Sequence, residues 1–173
     1  GLPYRPVFTT LRLYGEKVNT GERYGNRIIL PQAAPYTTKI ELDYNQNFLT
    51  FECSALNYVN SERTYYRYQL EGIDKQWMNA FASGQGNATV GNGILQASYT
   101  NLPPGEYTFK VAASDNLLQW NENITKIQVT IHAPWWKTTT AYVLYTVALL
   151  LIVSGSIRLY IYQTKKKMDY VRP

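Results

Sequence analysis

The segment NLPPGEYTFKVAASDN, residues 101–116, decides the fold of the N-terminal part of the chain. A Pro-Pro-Gly turn leads into a run in which every second residue is apolar, and this period of two is typical of a strand with one buried face. In Greek-key sandwiches, a tyrosine that opens such a strand often hydrogen-bonds back to the turn, an arrangement called a tyrosine corner. We therefore predict that Tyr107 forms this corner. The turn is predicted to be set by two prolines that restrict the backbone and one glycine that frees it, Pro103, Pro104 and Gly105.

Short alternating runs of the same kind occur on both sides of this segment, separated by clusters of Gly, Asn, Pro and Asp. The predicted strands are residues 7–14, 38–44, 48–56, 65–71, 95–100, 106–114 and 124–132. Residues 15–37 are predicted to form a long connection with one short strand at Ile28–Leu30, and residues 79–93 a polar, glycine-rich loop of low order. The pattern predicts an all-β, Ig/fibronectin III-like two-sheet sandwich of about seven strands over residues 1–134.

A different kind of segment follows, TTAYVLYTVALLLIVSGSIRLYIYQ at residues 139–163. No charged residue occurs from Thr138 to Ile157, and a helix of these 20 residues is about 30 Å long, as thick as the hydrocarbon core of a bilayer. Its ends carry the aromatic residues that are typical of membrane interfaces, namely Trp135, Trp136, Tyr142, Tyr145, Tyr160 and Tyr162. A buried helix of a soluble protein is the alternative, but such a helix ordinarily has a polar stripe. We predict a transmembrane helix over residues 135–163 that begins with the two tryptophans.

Basic residues follow the apolar helix. The segment from residue 158 onward contributes +4 of the net charge of +5, through the predicted cytoplasmic anchors Arg158, Lys165, Lys166 and Lys167 together with Arg172 and Asp169. The positive-inside rule therefore predicts that the basic segment 164–173 is cytoplasmic and that residues 1–134 lie on the other side. The rest of the chain is nearly neutral, so it lacks the electrostatic footprint of a nucleic-acid-binding protein. Contact with anionic lipid accounts better for the basic residues.

The cysteine count and the N-terminus suggest the origin of the chain. Cys53 is the single cysteine and cannot form an internal disulfide, which favours a bacterial envelope protein over an extracellular eukaryotic module. The chain does not begin with Met, and its start does not resemble a signal peptide. A C-terminal anchor with an external N-terminal domain therefore predicts that the sequence is a fragment of a longer protein.

No catalytic constellation is visible in the sequence. His132 is the single histidine and lies at the end of a predicted strand, a poor position for a catalytic triad. One Cys and one His do not supply the ligands of a zinc site, and no glycine-rich phosphate loop opens a helix. We therefore predict no catalytic residue, no metal and no cofactor in this segment. A pH-sensing role for His132 is an alternative to a plain position at the step from strand to anchor.

Three motifs in a fixed order carry a resemblance to a known family. They are YRYQLEGIDKQW at residues 66–77, ASYTNLPPGEYTFKVAASDNLLQWN at residues 97–121 and HAPWWKTTTAYVLY at residues 132–145. Together they resemble the Y_Y_Y domain, a fibronectin-like sandwich that ends the periplasmic region of hybrid two-component and related sensor histidine kinases. In that family the domain follows two β-propellers and continues through a Pro-Trp-Trp step into the membrane helix. The resemblance runs from about residue 6 to the anchor; Leu117-Leu118 departs from it, because a glycine commonly stands there.

The resemblance implies roles for particular residues and partners. It makes Tyr66, Tyr68, Tyr99 and Tyr107 core tyrosines, with Trp77 and Trp120 closing the sandwich, and it makes Pro134, Trp135 and Trp136 the membrane junction. It also implies a homodimer through the sandwich and the transmembrane helix, propellers upstream, a kinase core downstream and a place in the bacterial inner membrane with the sandwich in the periplasm.

Two functions follow from these expectations. In the first, the segment transmits the binding of a ligand, expected to be a glycan held by the propellers, across the membrane to a kinase and its phosphorelay. In the second, it is a membrane-anchored carbohydrate-binding or adhesion module without signalling, since the faces of its many aromatic side chains can stack on sugars. The sequence that follows Pro173 in the gene would distinguish the two.

Overall fold

In the computed structural model, the described residues are 5–55, 64–80, 86–114, 120 and 123–171. The chain divides after Ala133 into a β unit and a C-terminal helical unit. The described part of the β unit holds twelve strands and a short 3-10 helix at Ala34–Tyr36. The strands are β1 (Val7–Leu13), β2 (Glu16–Lys17), β3 (Arg23–Tyr24), β4 (Arg27–Ile28), β5 (Lys39–Asp43), β6 (Leu49–Ser54), β7 (Tyr65–Glu71), β8 (Met78–Ala80), β9 (Ala88–Gly91), β10 (Ile94–Tyr99), β11 (Gly105–Ser114) and β12 (Thr125–His132).

The strands form two five-stranded sheets and one small hairpin. The first sheet has the order β2-β1-β6-β10-β9, the second has the order β5-β12-β11-β7-β8, and β3 pairs with β4. All pairs in the two large sheets are antiparallel except β5 and β12, which run parallel. Because β5 precedes β12 by more than 80 residues, this parallel pair ties the first third of the chain to the last strand.

The hydrophobic core lies between the two sheets. Phe51 of β6 and Phe109 of β11 stack with ring centroids 4.3 Å apart and an interplanar angle of 6°. Tyr99 of β10 meets the edge of both rings, at 6.4 Å and 6.3 Å. Offset and edge-to-face aromatic contacts of this kind add to the stabilisation from burial. The inner faces of the two sheets therefore meet through a central aromatic cluster.

The predicted two-sheet sandwich followed by one apolar helix is confirmed. Seven strands have five or more residues, β1, β5, β6, β7, β10, β11 and β12, and these correspond to the seven predicted runs. The remaining five have two to four residues. Runs this short carry too little alternation to be recognised from sequence.

Two predicted connections differ from the structure. The short strand predicted at Ile28–Leu30 is wrong in extent, because β4 ends at Ile28 while Ile29 and Leu30 are buried outside any strand. The predicted loop 79–93 contains the end of β8 and all of β9, with residues 81–85 outside the described part. Asn92 and Gly93 form the turn between β9 and β10 with φ of 53° and 76°. Asn-Gly is a strong hairpin signal, because both turn positions require positive φ.

The helical unit begins with a 3-10 turn at Trp135–Lys137 and continues as helix α1, Thr139–Val171. Thr138 starts α1 as a cap, because its Oγ1 accepts a hydrogen bond from the Ala141 N–H at 3.2 Å. Within the described part of the chain, α1 is the one helix long and apolar enough to cross a membrane. Helix α1 includes most of the basic segment 164–173 that the sequence predicts to be cytoplasmic.

Candidate functional site

The strand that leads toward the helix, β12, is an interior strand of its sheet. It pairs with β11 from Thr125 to Ile131 and with β5 from Gln128 to His132. Its inward side chains Ile127, Val129 and Ile131 are buried in the core. β12 is thus paired on both sides from Gln128 to Ile131 and packed from within, and its last residue, His132, is paired with β5 alone.

Three of the four predicted core tyrosines join the two sheets through their hydroxyl groups. Tyr66 and Tyr68 of β7 are fully buried. The Tyr66 hydroxyl accepts from the Ala55 N–H at 3.0 Å and donates to the Gly93 carbonyl oxygen, while the Tyr68 hydroxyl donates to Asn87 Oδ1. These partners lie beside β6, β9 and β10, strands of the opposite sheet. Each hydroxyl therefore acts as a cross-link between the sheets.

Tyr99 makes the matching contact in the other direction, from the first sheet to the second. Its hydroxyl donates to Asp74 Oδ2 at 2.6 Å, and the same oxygen accepts from the Leu70 N–H at 2.9 Å. Asp74 lies in the turn after β7, so one carboxylate fixes this turn to both sheets. Sequence reasoning did not single out Asp74 or Asn87, because a turn residue alone does not indicate which distant side chain it contacts.

Burial controls the ionisation of these tyrosines. Removal from water disfavours the phenolate and raises the pKa of both Tyr66 and Tyr68 to about 12. The pKa of Tyr99 is raised still further by burial and by its hydrogen bond to Asp74. All three hydroxyls therefore keep the protons with which they form the cross-links.

Tyr107 forms the tyrosine corner that the sequence predicts. Its hydroxyl donates to the Pro103 carbonyl oxygen at 2.5 Å. Gly72 approaches the ring so closely that an added Cβ would lie 2.7 Å from Tyr107 Cδ1. The Pro103-Pro104-Gly105 turn therefore packs against one side of the Tyr107 ring, and the turn at Gly72 packs against another side.

We expect Tyr107→Phe to lower the free energy of unfolding by about 1 kcal/mol, because the ring packing stays but one hydrogen bond is lost. Urea unfolding of the β unit, residues 1–133, would measure the change. Tyr36→Phe is a matched control, since Tyr36 is largely exposed. Equal midpoints for the Tyr107→Phe variant and the parent protein would contradict a stabilising corner.

The role of closing the sandwich, which the resemblance implies for Trp77 and Trp120, stays a prediction. Both indole rings pack against the guanidinium of Arg67, whose Cζ lies 4.5 Å and 4.9 Å from the ring centroids. Arg67 lies between the inward-facing Tyr66 and Tyr68 on β7, so its side chain lies on the outer face of the sheet. Cation–π attraction favours this packing of two indole faces on a partly desolvated guanidinium. Burial lowers the pKa of Arg67.

His132, at the end of β12, lies near one carboxylate. Its Nε2 lies 3.8 Å from Glu41 Oε1 of β5, and Glu41 also lies near Arg27 and Lys39. Among the described residues, no hydrogen bond reaches the buried Nε2 atom. The pH-sensing alternative for His132 stays a prediction.

The predicted membrane junction is a continuous hydrogen-bonded turn within the helical unit. The Lys137 N–H donates to the Pro134 carbonyl oxygen at 2.9 Å, and Thr138 Oγ1 donates to the Trp135 carbonyl oxygen at 2.8 Å. The two indoles meet edge to face, with centroids 5.6 Å apart. Farther along, α1 carries the four predicted basic anchors, Arg158, Lys165, Lys166 and Lys167, all exposed.

Among the described residues, no three His, Cys, Asp or Glu side chains lie close enough together to hold a metal ion. Asp115 and the Leu117-Leu118 departure lie outside the described residues.

Comparison with known proteins finds a family match within the β unit. Residues 57–132 match the profile of the Y_Y_Y domain family. This segment is therefore similar to Y_Y_Y domains. The match begins just after β6 and ends with β12, so it includes all four core tyrosines and the tyrosine corner.

Relatives of this chain are described as a histidine kinase and as one-component or two-component systems. Histidine kinase P4 of Formosa agariphila is 29% identical over 148 residues, which are 84% of this chain and 10% of that protein. Two crystal structures from B. thetaiotaomicron, described as the extracellular domain of a one-component system and of a hybrid two-component system, match with TM-scores of 0.61 and 0.60 and identities of 27% and 26%. Each match covers 76% of this chain and 16% of the other.

A further B. thetaiotaomicron hybrid two-component system has an extracellular domain that matches with a TM-score of 0.51 at 24% identity, over 76% of this chain and 15% of that one, and shows the fold alone. This chain thus spans about a tenth of the curated relative and about a sixth of the solved extracellular domains. The relatives support a sensor-kinase context for the chain.

Proposed function

We propose that this chain is the membrane-proximal, signal-transmitting part of a sensor histidine kinase. Its β unit would lie in the periplasm, α1 would cross the inner membrane, and the basic end of α1 would lie in the cytoplasm. Sensor domains upstream, propellers by resemblance, would bind the ligand, expected to be a glycan. A kinase core downstream would begin the phosphorelay.

A transmitting domain must move as one body, and the β unit has the contacts for this. Three buried tyrosine hydroxyls connect its sheets, and a stacked pair of phenylalanines fills the centre. Close-packed interiors of this kind transmit displacement instead of absorbing it. A shift imposed on one end of the sandwich would therefore reach β12.

The connection from β12 to the helix is short. Ala133 alone separates the last residue of β12 from Pro134, where the hydrogen-bonded turn of the helical unit begins. Proline restricts its own backbone and that of the residue before it. This junction lacks the glycine and serine residues that make linkers flexible. The single observation that carries the proposal is this direct step from a doubly paired strand to a membrane-length helix.

Two copies of the chain would be needed for such a relay. We propose that the sandwich and α1 both take part in a homodimer, so that ligand binding changes the distance or rotation between two parallel helices. The basic residues of α1 would lie near the cytoplasmic surface in both helices, because anionic lipids attract them.

The orientation can be tested by labelling single cysteines in spheroplasts. Tyr36→Cys places a thiol on the β unit at a side chain that is 76% exposed, and Met168→Cys places one near the end of α1 at 58% exposure. Burial raises the pKa of the native Cys53 thiol to about 12, so it remains unreactive. We expect a membrane-impermeant maleimide to label Tyr36→Cys in intact spheroplasts and Met168→Cys only after permeabilisation. The reverse pattern would contradict the proposed topology.

A further inference from the structure

Helix α1 is longer than a bilayer requires. Its candidate membrane span, Thr139–Asp169, has 31 residues, with Arg158, Lys165, Lys166 and Lys167 in its C-terminal part. It is therefore about 46 Å long, whereas the hydrocarbon core is about 30 Å thick. A helix with such an excess must tilt, bend, thicken the bilayer or leave part of itself outside.

The anchoring residues of the helical unit occur in two sets with the same spacing, and Trp135 lies in the 3-10 turn before α1. Trp135 and Arg158 are 23 residues apart, and so are Tyr142 and Lys165. Each interval corresponds to about 35 Å, enough to place an aromatic residue at one interface and a basic residue at the other. The second pair is displaced from the first by seven residues, or about 10 Å. All four side chains are exposed.

The segments between the two pairs tolerate both water and lipid. Thr138, Thr139 and Thr140 lie on the outer side, where short hydroxyl side chains suit either environment. On the inner side, residues 159–164 combine leucine and isoleucine with two tyrosines, a glutamine and a threonine. Thr164 Oγ1 donates to the Tyr160 carbonyl oxygen at 2.9 Å, so its hydroxyl can enter lipid without losing its partner.

Neither position satisfies every residue of α1. With Trp135 and Arg158 at the interfaces, Leu159 and Ile161 would be exposed to water, which costs free energy because their side chains are apolar. With Tyr142 and Lys165 at the interfaces, Arg158 would lie about 10 Å below the surface and would have to extend toward the headgroups. These costs oppose each other, which is the condition for two positions of similar free energy.

We propose that α1 has two positions in the membrane, one anchored by Trp135 and Arg158 and one by Tyr142 and Lys165, and that signalling shifts it between them. This inference rests on the proposed function, since it assumes that α1 crosses the membrane, and it names the motion that carries the signal. Thr138 caps the start of α1, and the helix continues without a break to Val171. A displacement of about 10 Å at the outer end therefore reaches the cytoplasmic end undiminished.

The test places single cysteines in the two segments that change environment. With Trp135 and Arg158 as anchors, Thr139→Cys lies in lipid and Ile161→Cys in cytoplasmic water. With Tyr142 and Lys165 as anchors, the two environments are exchanged. Each cysteine is labelled from its own side with an impermeant maleimide, in vesicles of defined orientation that contain the full-length protein.

Substitution of an anchor should shift the labelling of the two cysteines in opposite directions. Arg158→Leu removes the inner anchor of the first pair, so labelling at 139 should rise and labelling at 161 should fall, each by about threefold or more. Tyr142→Leu removes the outer anchor of the second pair and should do the reverse. Leu150→Ile, in the middle of the helix, should change neither rate.

Labelling rates that change in the same direction, or that do not respond to either substitution, would overturn the two-position inference in favour of one tilted helix. The proposed function would survive that result if the Tyr36→Cys and Met168→Cys thiols still react from opposite sides. If those two thiols react from one side only, the membrane span fails and both proposals fall together.

Discussion

Between pH 10 and pH 12 the β unit should lose stability at about 5 kcal/mol per pH unit. In the unfolded chain a tyrosine loses its proton near pH 10 and a cysteine at a lower pH. In the folded protein burial raises the pKa of Tyr66, of Tyr68 and of the Cys53 thiol to about 12. The pKa of Tyr99 is raised by burial and by its hydrogen bond to Asp74. In this range the unfolded state therefore binds about four fewer protons, and each contributes a loss of about 1.4 kcal/mol per pH unit.

The sign of this effect follows from the direction of the shifts. A raised pKa in the folded state contributes stability that is complete below the unfolded pKa and is lost as the pH rises through the folded one. Because small domains are stable by about 5–15 kcal/mol, the β unit should unfold within about two pH units.

Urea midpoints followed by circular dichroism from pH 8 to pH 11.5 would measure the slope. Tyr68→Phe should reduce it by about a quarter, whereas Tyr36→Phe should leave it unchanged because Tyr36 is exposed. If tyrosinate absorbance appeared near pH 10 for every tyrosine while the protein remained folded, the buried cross-links would not exist in solution.

Gly72→Ala should destabilise the β unit by about 3 kcal/mol, for two separate reasons. The backbone at Gly72 has φ of +105°, which costs an L-residue on the order of 1–3 kcal/mol. The new methyl would also lie 2.7 Å from Tyr107 Cδ1, and overpacking of this kind costs about 1–3 kcal/mol. The ring cannot retreat easily, because its hydroxyl is bonded to Pro103.

Two further glycines separate these contributions. Gly21 has φ of +76° and open space around it, so Gly21→Ala should cost about 1 kcal/mol through the backbone alone. Gly91 has neither a positive φ nor a neighbour within 4 Å, so Gly91→Ala should be nearly neutral. Equal effects for Gly72→Ala and Gly21→Ala would show that the turn at Gly72 does not press on the tyrosine corner.

Local signals in the sequence were enough to predict the long strands and the corner. Alternation places Tyr107 and Phe109 on the buried face of β11, and the Pro-Pro-Gly turn marks its start. The membrane-length helix is equally predictable from the sequence, since its apolar run is uninterrupted. In each case, a few residues that are neighbours in the sequence are enough to determine the local structure.

Contacts between distant residues were not predictable in this way. The parallel pairing of β5 with β12 and the bond from Tyr99 to Asp74 depend on the relative position of the two sheets. The resemblance assigns Trp77 to the closing of the sandwich, whereas the contact of its ring with the Arg67 guanidinium is visible only in the structure. The hairpin of β9 and β10 is different, because the Asn92-Gly93 signal was present and was missed.

The central claim is that the β unit and α1 move as one, and a flexible insertion after Ala133 tests it most directly. A Gly-Ser linker of about six residues there should abolish induction of the reporter that the full-length protein controls, because such a linker absorbs displacement. The same linker after Gly15, an exposed turn where even an added Cβ meets no atom within 4 Å, serves as the control and should leave induction intact. Normal induction with the linker after Ala133 would contradict the account.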